Sequence, residues 1–183
     1  YAKKIAVSPE IGTSNWGFSI SIASILSFLL FSIILVQGKV FFGSLKTSFF
    51  GWFFLILVLS TASLSFFDES SNEFYPLIVL MLSLICFEMT NLFYNLSLHK
   101  VAPKHKEGQI SNLGWAFGYF GGLCSLAIIF LLLELTKSYD YRLFGLSIFL
   151  IIGPFVALWT MIFGYSHIKN FATCGCSQFS QAM

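Results

Sequence analysis

The chain has 183 residues, 57% of them hydrophobic and only 10% charged, with a formal net charge of +2 and a mean hydropathy of +0.83. A soluble domain carries about 25% charged residues, so the composition excludes one, and it offers no strongly basic patch for nucleic acid. The charges cluster in connectors between long apolar runs, the pattern of an integral membrane protein whose partners include membrane lipid.

Five runs stand out in chain order. Residues Ile11 to Gly38 and Thr47 to Phe67 carry no charge, Phe74 to Leu98 carries only Glu88, and Leu113 to Leu133 and Leu143 to Ser166 carry none. A bilayer core needs about 20 apolar residues per helix. The runs are continuously apolar rather than alternating, which argues against a β-barrel. The expected fold class is an all-α integral membrane protein. Its five transmembrane helices span about 14–37, 47–67, 74–98, 112–133 and 143–165, within a bundle covering 11–166. Residues 1–10 form a segment on the extracytoplasmic or lumenal side, and 167–183 form a cytoplasmic tail or the start of a central loop.

The connectors set the orientation. The N-terminal side carries Lys3, Lys4, Lys137 and Arg142; the other side carries Lys39, Lys46, Lys100, Lys104, Lys106 and Lys169. The positive-inside rule makes the second side cytoplasmic. The first visible helix then enters from outside, and the chain begins at Tyr1 rather than Met. Both features fit the loss of a preceding helix.

The third run holds Glu88, the only charge well inside a span. A charged acid near the bilayer centre costs about 2.5–3.5 kcal/mol on insertion scales, and such a residue marks a functional site by default. Asn91, Asn95 and His99 follow it, and at helical spacing all four lie within about a quarter of the circumference. This polar stripe is either a pathway lining or a hydrogen-bond cluster between helices. Asn95-Leu96-Ser97 matches a glycosylation sequon but lies within a span.

The fourth run opens with SNLGWAFGYFGG, residues 111–122. Gly114, Gly118 and Gly122 recur every four residues and, with Gly121, form a smooth face for close helix packing. Trp115 and Tyr119 lie on a different face. Trp115 reads as an interface anchor, while the deeper Tyr119 hydroxyl needs a partner. Cys86 and Cys124 read as small buried residues. Cys174-Gly175-Cys176 provides too few ligands for a metal site and is a candidate for palmitoylation. No phosphate loop, metalloprotease or serine-hydrolase signature occurs, so no enzyme activity, cofactor or metal is expected.

The stretch FEMTNLFYNLSLHKVAPKHKEGQISNLGWAFGYFGG, residues 87–122, resembles the fourth and fifth helices of one branch of the major facilitator superfamily. That branch contains the autophagy-related vacuolar amino-acid effluxers and their bacterial relatives. The shared features are Phe87-Glu88, Phe93-Tyr94-Asn95, Ala102-Pro103, Gly108-Gln109-Ile110-Ser111 and the glycines from Gly114 to Gly122. FVALWTMIFG, residues 155–164, is similar to the sixth helix, so the resemblance runs from helix two to helix six. It departs from the superfamily in the loop GKVFFGSLKTS, residues 38–48, which lacks the usual acidic residue and arginine pair.

The resemblance implies part of the N-terminal six-helix bundle of a transporter. The partners are then the missing first helix, a C-terminal six-helix half, and a small solute such as an amino acid. It implies efflux by alternating access, with Glu88, Asn91, Asn95 and Tyr119 along the substrate pathway. The membrane would be vacuolar or lysosomal in a eukaryote and the cell membrane in a bacterium. The competing expectation is a non-transporting membrane scaffold or assembly subunit.

Overall fold

The structure is a computed structural model. It describes Ala6, residues 8–36, 46–67, Asn72, 74–101, 106–137, 142–143, 146–147 and 150–164. Most of the N-terminal segment, the loop 38–45, Lys100 as a side chain, Lys104 and the tail with Lys169, Cys174 and Cys176 lie outside the described residues. The expectations of orientation and palmitoylation rest on them.

Helix α1 spans Pro9–Val36. Its start follows from three residues. Ser8 Oγ accepts the Ile11 N–H at 3.2 Å, and the Ser8 carbonyl accepts the Gly12 N–H at 2.9 Å. Pro9 occupies the first helical position, where no N–H is needed, and Glu10 places negative charge in the first turn.

Helix α2 spans Lys46–Ser63 and continues as a 3-10 turn over Leu64–Phe66. Helix α3 spans Phe74–Val101. Asn72 caps it through Oδ1, which accepts the Phe74 N–H at 3.0 Å, and through its carbonyl, which accepts the Tyr75 N–H at 3.1 Å. Helix α4 spans Glu107–Thr136, and a last helix, α5, is described over Leu150–Gly164. Strands β1, Arg142–Leu143, and β2, Leu146–Ser147, form a short antiparallel ladder pairing Arg142 with Ser147 and Leu143 with Leu146.

The fold is therefore all-α apart from that ladder: a partial membrane bundle of five described helices. Among the described residues three stretches are long and apolar enough to cross a bilayer: Pro9–Val36, Phe74–Asn95 and Gly108–Thr136. The apolar helices Phe50–Phe66 and Leu150–Gly164 are shorter. The fifth charge-free run does not become helical at Leu143, because Leu143 is paired in the ladder. Lack of charge marks apolar surroundings, not a backbone conformation.

Backbone groups inside a bilayer must bond within the protein, and several hydroxyls do the same, although the buried Ser27 Oγ has no partner among the described residues. Ser19, Ser21, Ser24 and Ser32 on α1 each donate to the carbonyl four residues earlier, at 2.8–3.0 Å. Thr90 and Thr160 do the same, and Ser60 and Ser83 donate to the carbonyl three residues earlier. A hydroxyl bonded to its own helix costs little in lipid.

Helix α3 is the centre. It packs along both α1 and α2 and touches α4 less extensively. The core comprises Phe50, Phe54 and Leu57 of α2 with Leu77, Leu80, Cys86, Met89, Leu92 and Phe93 of α3. Phe53 stacks on Phe93 across that seam with ring centres 6.0 Å apart. Helix α1 buries only the small residues Gly12, Ser19, Ala23 and Ser27, which let its backbone come close.

Helix α5 lies against α2. The Gly153 N–H donates to Ser65 Oγ at 2.8 Å. A Cβ on Gly153 would collide with Ser65 and sit 3.0 Å from the Thr61 carbonyl oxygen, and one on Gly164 would collide with the Phe54 ring.

Candidate functional site

The expected pathway residues sit on two neighbouring helices. Asn91 and Asn95 are half-buried on α3, and Glu88 is exposed. Met89, Leu92 and Phe93, interleaved with them, are buried. Along the polar stripe, exposure therefore changes from Glu88, which the described helices leave exposed, to Asn91 and Asn95, which they partly cover. In this chain Glu88 is not enclosed by its own bundle.

Tyr119 is 68% exposed on α4. Its ring centre lies 5.9 Å from that of Trp115, tilted by 35°. Trp115 is also exposed, so the two rings present a continuous aromatic surface.

One contact of α4 with α3 is between Tyr94 and Gly114. The Tyr94 hydroxyl lies 2.7 Å from where a Cβ on Gly114 would be. Beyond that point nothing lies within 4 Å of the Cβ positions of Gly118, Gly121 or Gly122. Of the four glycines expected to pack helices, Gly114 does so here, and the other three line open space. Phe87 of α3 is likewise exposed, so the two helices diverge from the Tyr94–Gly114 contact.

Trp115 and Tyr119, placed by their spacing off the glycine stripe, bring their rings together. The close approach of α5 to α2 at Gly153 and Gly164, eleven residues or about three turns apart, had no signal singled out in the sequence. Among the described residues no group of three His, Cys, Asp or Glu side chains is placed to hold a metal. A small crevice between α4 and α5 is lined by Ile129, Leu132, Ile151, Ile152 and Phe155. It holds no polar group and is a packing gap rather than a solute site.

No protein-family model and no solved structure matches the chain. Among curated proteins it is similar to the uncharacterized MFS-type transporter YxiO of Bacillus subtilis (strain 168), with 30% identity over 134 residues. That alignment covers 71% of this chain and 31% of the relative. The chain thus spans about a third of the length of the curated relative it matches. An apolar helix bundle, a polar stripe interrupting its central helix, and a likeness to part of an MFS-type transporter together describe an integral membrane protein related to transporters of that type.

Proposed function

We propose that the chain is part of the N-terminal half of a secondary-active transporter of the major-facilitator type, exporting amino acids or related small solutes. The observation that carries the reading is Glu88. It is the only charge well inside a span, it is left exposed by the described helices, and at helical spacing it shares a stripe with Asn91 and Asn95, in a chain similar to part of an MFS-type transporter. Polar groups at membrane depth belong against protein or a water-filled cavity. An acidic side chain left exposed at membrane depth is what one bundle contributes to a pathway lying between two halves.

On this reading the remaining helices complete the cavity, and the two halves rock to open it to each side in turn. Export of amino acids, and a vacuolar, lysosomal or bacterial cell membrane, follow from the resemblance of residues 87–122 to the autophagy-related effluxer branch. The test is counterflow of labelled leucine, lysine and glutamate in proteoliposomes holding the complete protein. Accumulation of at least one above protein-free vesicles supports the reading. No accumulation of any, with correctly folded protein in the vesicles, overturns it.

A further inference from the structure

We infer that Gly118, Gly121 and Gly122 form a bend point in α4, about which the arm 123–136 moves relative to α3; that this movement is a step of transport rests on the transport reading above. Glycine weakens a helix relative to alanine, because it leaves the backbone its widest choice of conformations. In a bilayer the usual compensation is a close helix contact. Gly114, Gly153 and Gly164 have it, against Tyr94, Ser65 with Thr61, and Phe54. Gly118, Gly121 and Gly122 do not: nothing among the described residues lies within 4 Å of their Cβ positions.

The register of the two helices locates the gap. Tyr94 and Gly114 each lie seven residues from the connector between the end of α3 at Val101 and the start of α4 at Glu107, so the helices form an antiparallel hairpin. Two turns further from the connector, seven residues along each helix, come Phe87 and Gly121, which return to within about 20° of the facing lines. An evenly packed hairpin would bury Phe87 against Gly121. Instead Phe87 is 46% exposed and Gly121 meets nothing. Further out, α4 borders α5 across the crevice lined by Ile129, Leu132, Ile151, Ile152 and Phe155. That crevice offers no polar group to resist movement of the arm.

The other described helices lack this freedom. α3 packs along α1 and α2, and α5 is held to α2 at both Gly153 and Gly164. A helix with few contacts and several uncompensated glycines is where a bundle yields first. Here α4 is continuous from Glu107 to Thr136, so the bend is a second conformation. A bend of about 20° at Gly121 carries residue 131, about 15 Å further along, through about 5 Å. α4 thereby becomes a gate at the end of the hairpin remote from its connector, working without unpacking α1, α2, α3 or α5.

The test uses the complete protein in proteoliposomes, with its native cysteines replaced and spin labels at paired positions. Ile78→Cys with Leu131→Cys reports the arm of α4 against α3, and Ile78→Cys with Leu59→Cys reports α2 against α3. All three residues are exposed. Pulsed electron-spin distance measurement should give a broad or two-peaked distribution for the first pair and a narrow one for the second. The triple variant Gly118→Ala, Gly121→Ala, Gly122→Ala should narrow the first distribution, raise the midpoint of thermal unfolding by a few degrees and slow amino-acid counterflow by about tenfold. Equal distributions for the two wild-type pairs, or a first distribution that the alanines leave unchanged, would overturn the bend. So would an alanine variant less stable than the wild type, because the glycines would then be filled by a helix outside this chain. A narrowed distribution with unchanged counterflow would overturn the gate. If the wild type carries no amino acid in counterflow, the transport reading fails by itself, and the distances and the stability still decide the bend.

Discussion

The hydroxyl of Tyr94 lies 2.7 Å from the position a Cβ on Gly114 would take. That approach is one of the points where α4 meets α3, and it favours glycine at residue 114 while leaving Gly118, Gly121 and Gly122 free of neighbours among the described residues.

Gly114→Ala should therefore destabilise the complete protein by roughly 1 kcal/mol, the low end of overpacking costs. The obstructing atom is at the far end of a side chain that can shift. Tyr94→Phe removes that atom, so the double variant should recover much of the loss relative to Tyr94→Phe alone. Thermal unfolding in detergent measures the cycle. Equal cost of Gly114→Ala in both backgrounds would mean that the contact is not what constrains residue 114.

Gly153→Ala should cost more, about 1–3 kcal/mol. The new methyl meets Ser65 and also the Thr61 carbonyl oxygen at 3.0 Å, and backbone cannot swing aside as a tyrosine tip can. Ser65→Ala removes the acceptor of the Gly153 N–H and should cost about 1 kcal/mol. A Gly153→Ala variant as stable as the wild type would show that α5 does not approach α2 this closely.

Gly118→Leu separates packing within this chain from packing against other helices. The described helices leave room for it. If helices outside this chain lie against the face, the complete protein should lose stability or transport. Full stability and full transport would mean that the face looks at lipid, which accepts leucine readily.

Much of this fold was legible in the sequence because a bilayer imposes a coarse rule: about 20 apolar residues with satisfied backbone. α1, α3 and α4 follow it directly. The region after α4 was not legible, because the run from Leu143 lacks charge yet pairs as a ladder at Leu143 and Leu146; apolarity does not distinguish a helix from a pairing of two residues. The glycine face was read as packing, but periodicity cannot say which neighbour fills a groove, and only Gly114 meets one here. The stripe of Glu88, Asn91 and Asn95 was legible from helical spacing. That Glu88 stays exposed while Asn91 and Asn95 are half-buried was not, since this depends on where α1, α2 and α4 sit around α3.

Orientation rests on the connector lysines. A cysteine at position 104, in a variant with Cys86, Cys124, Cys174 and Cys176 replaced, should react with an impermeant maleimide only from the cytoplasmic side. Labelling of intact cells or organelles from the opposite side would invert the topology.

Glu88 gives the sharpest separation between a pathway residue and structural glue. Glu88→Gln keeps the shape and much of the hydrogen-bonding capacity but can neither carry charge nor release a proton. If Glu88 carries the coupling proton, this variant should retain counterflow of an amino acid, with weakened apparent affinity, and lose uphill transport driven by an imposed pH gradient. Counterflow needs only the conformational cycle with solute bound, whereas gradient-driven transport needs a proton to be taken up on one side and released on the other. Unchanged gradient-driven transport by Glu88→Gln would sink the proton-carrying role. Glu88→Leu then tests placement. Leucine suits lipid as well as any residue, so a lipid-facing position would accept it with full transport and normal yield. On an edge shared with Asn91 and Asn95 it should leave the protein folded and abolish both counterflow and gradient-driven transport. A fully active leucine variant would remove Glu88 from the pathway altogether.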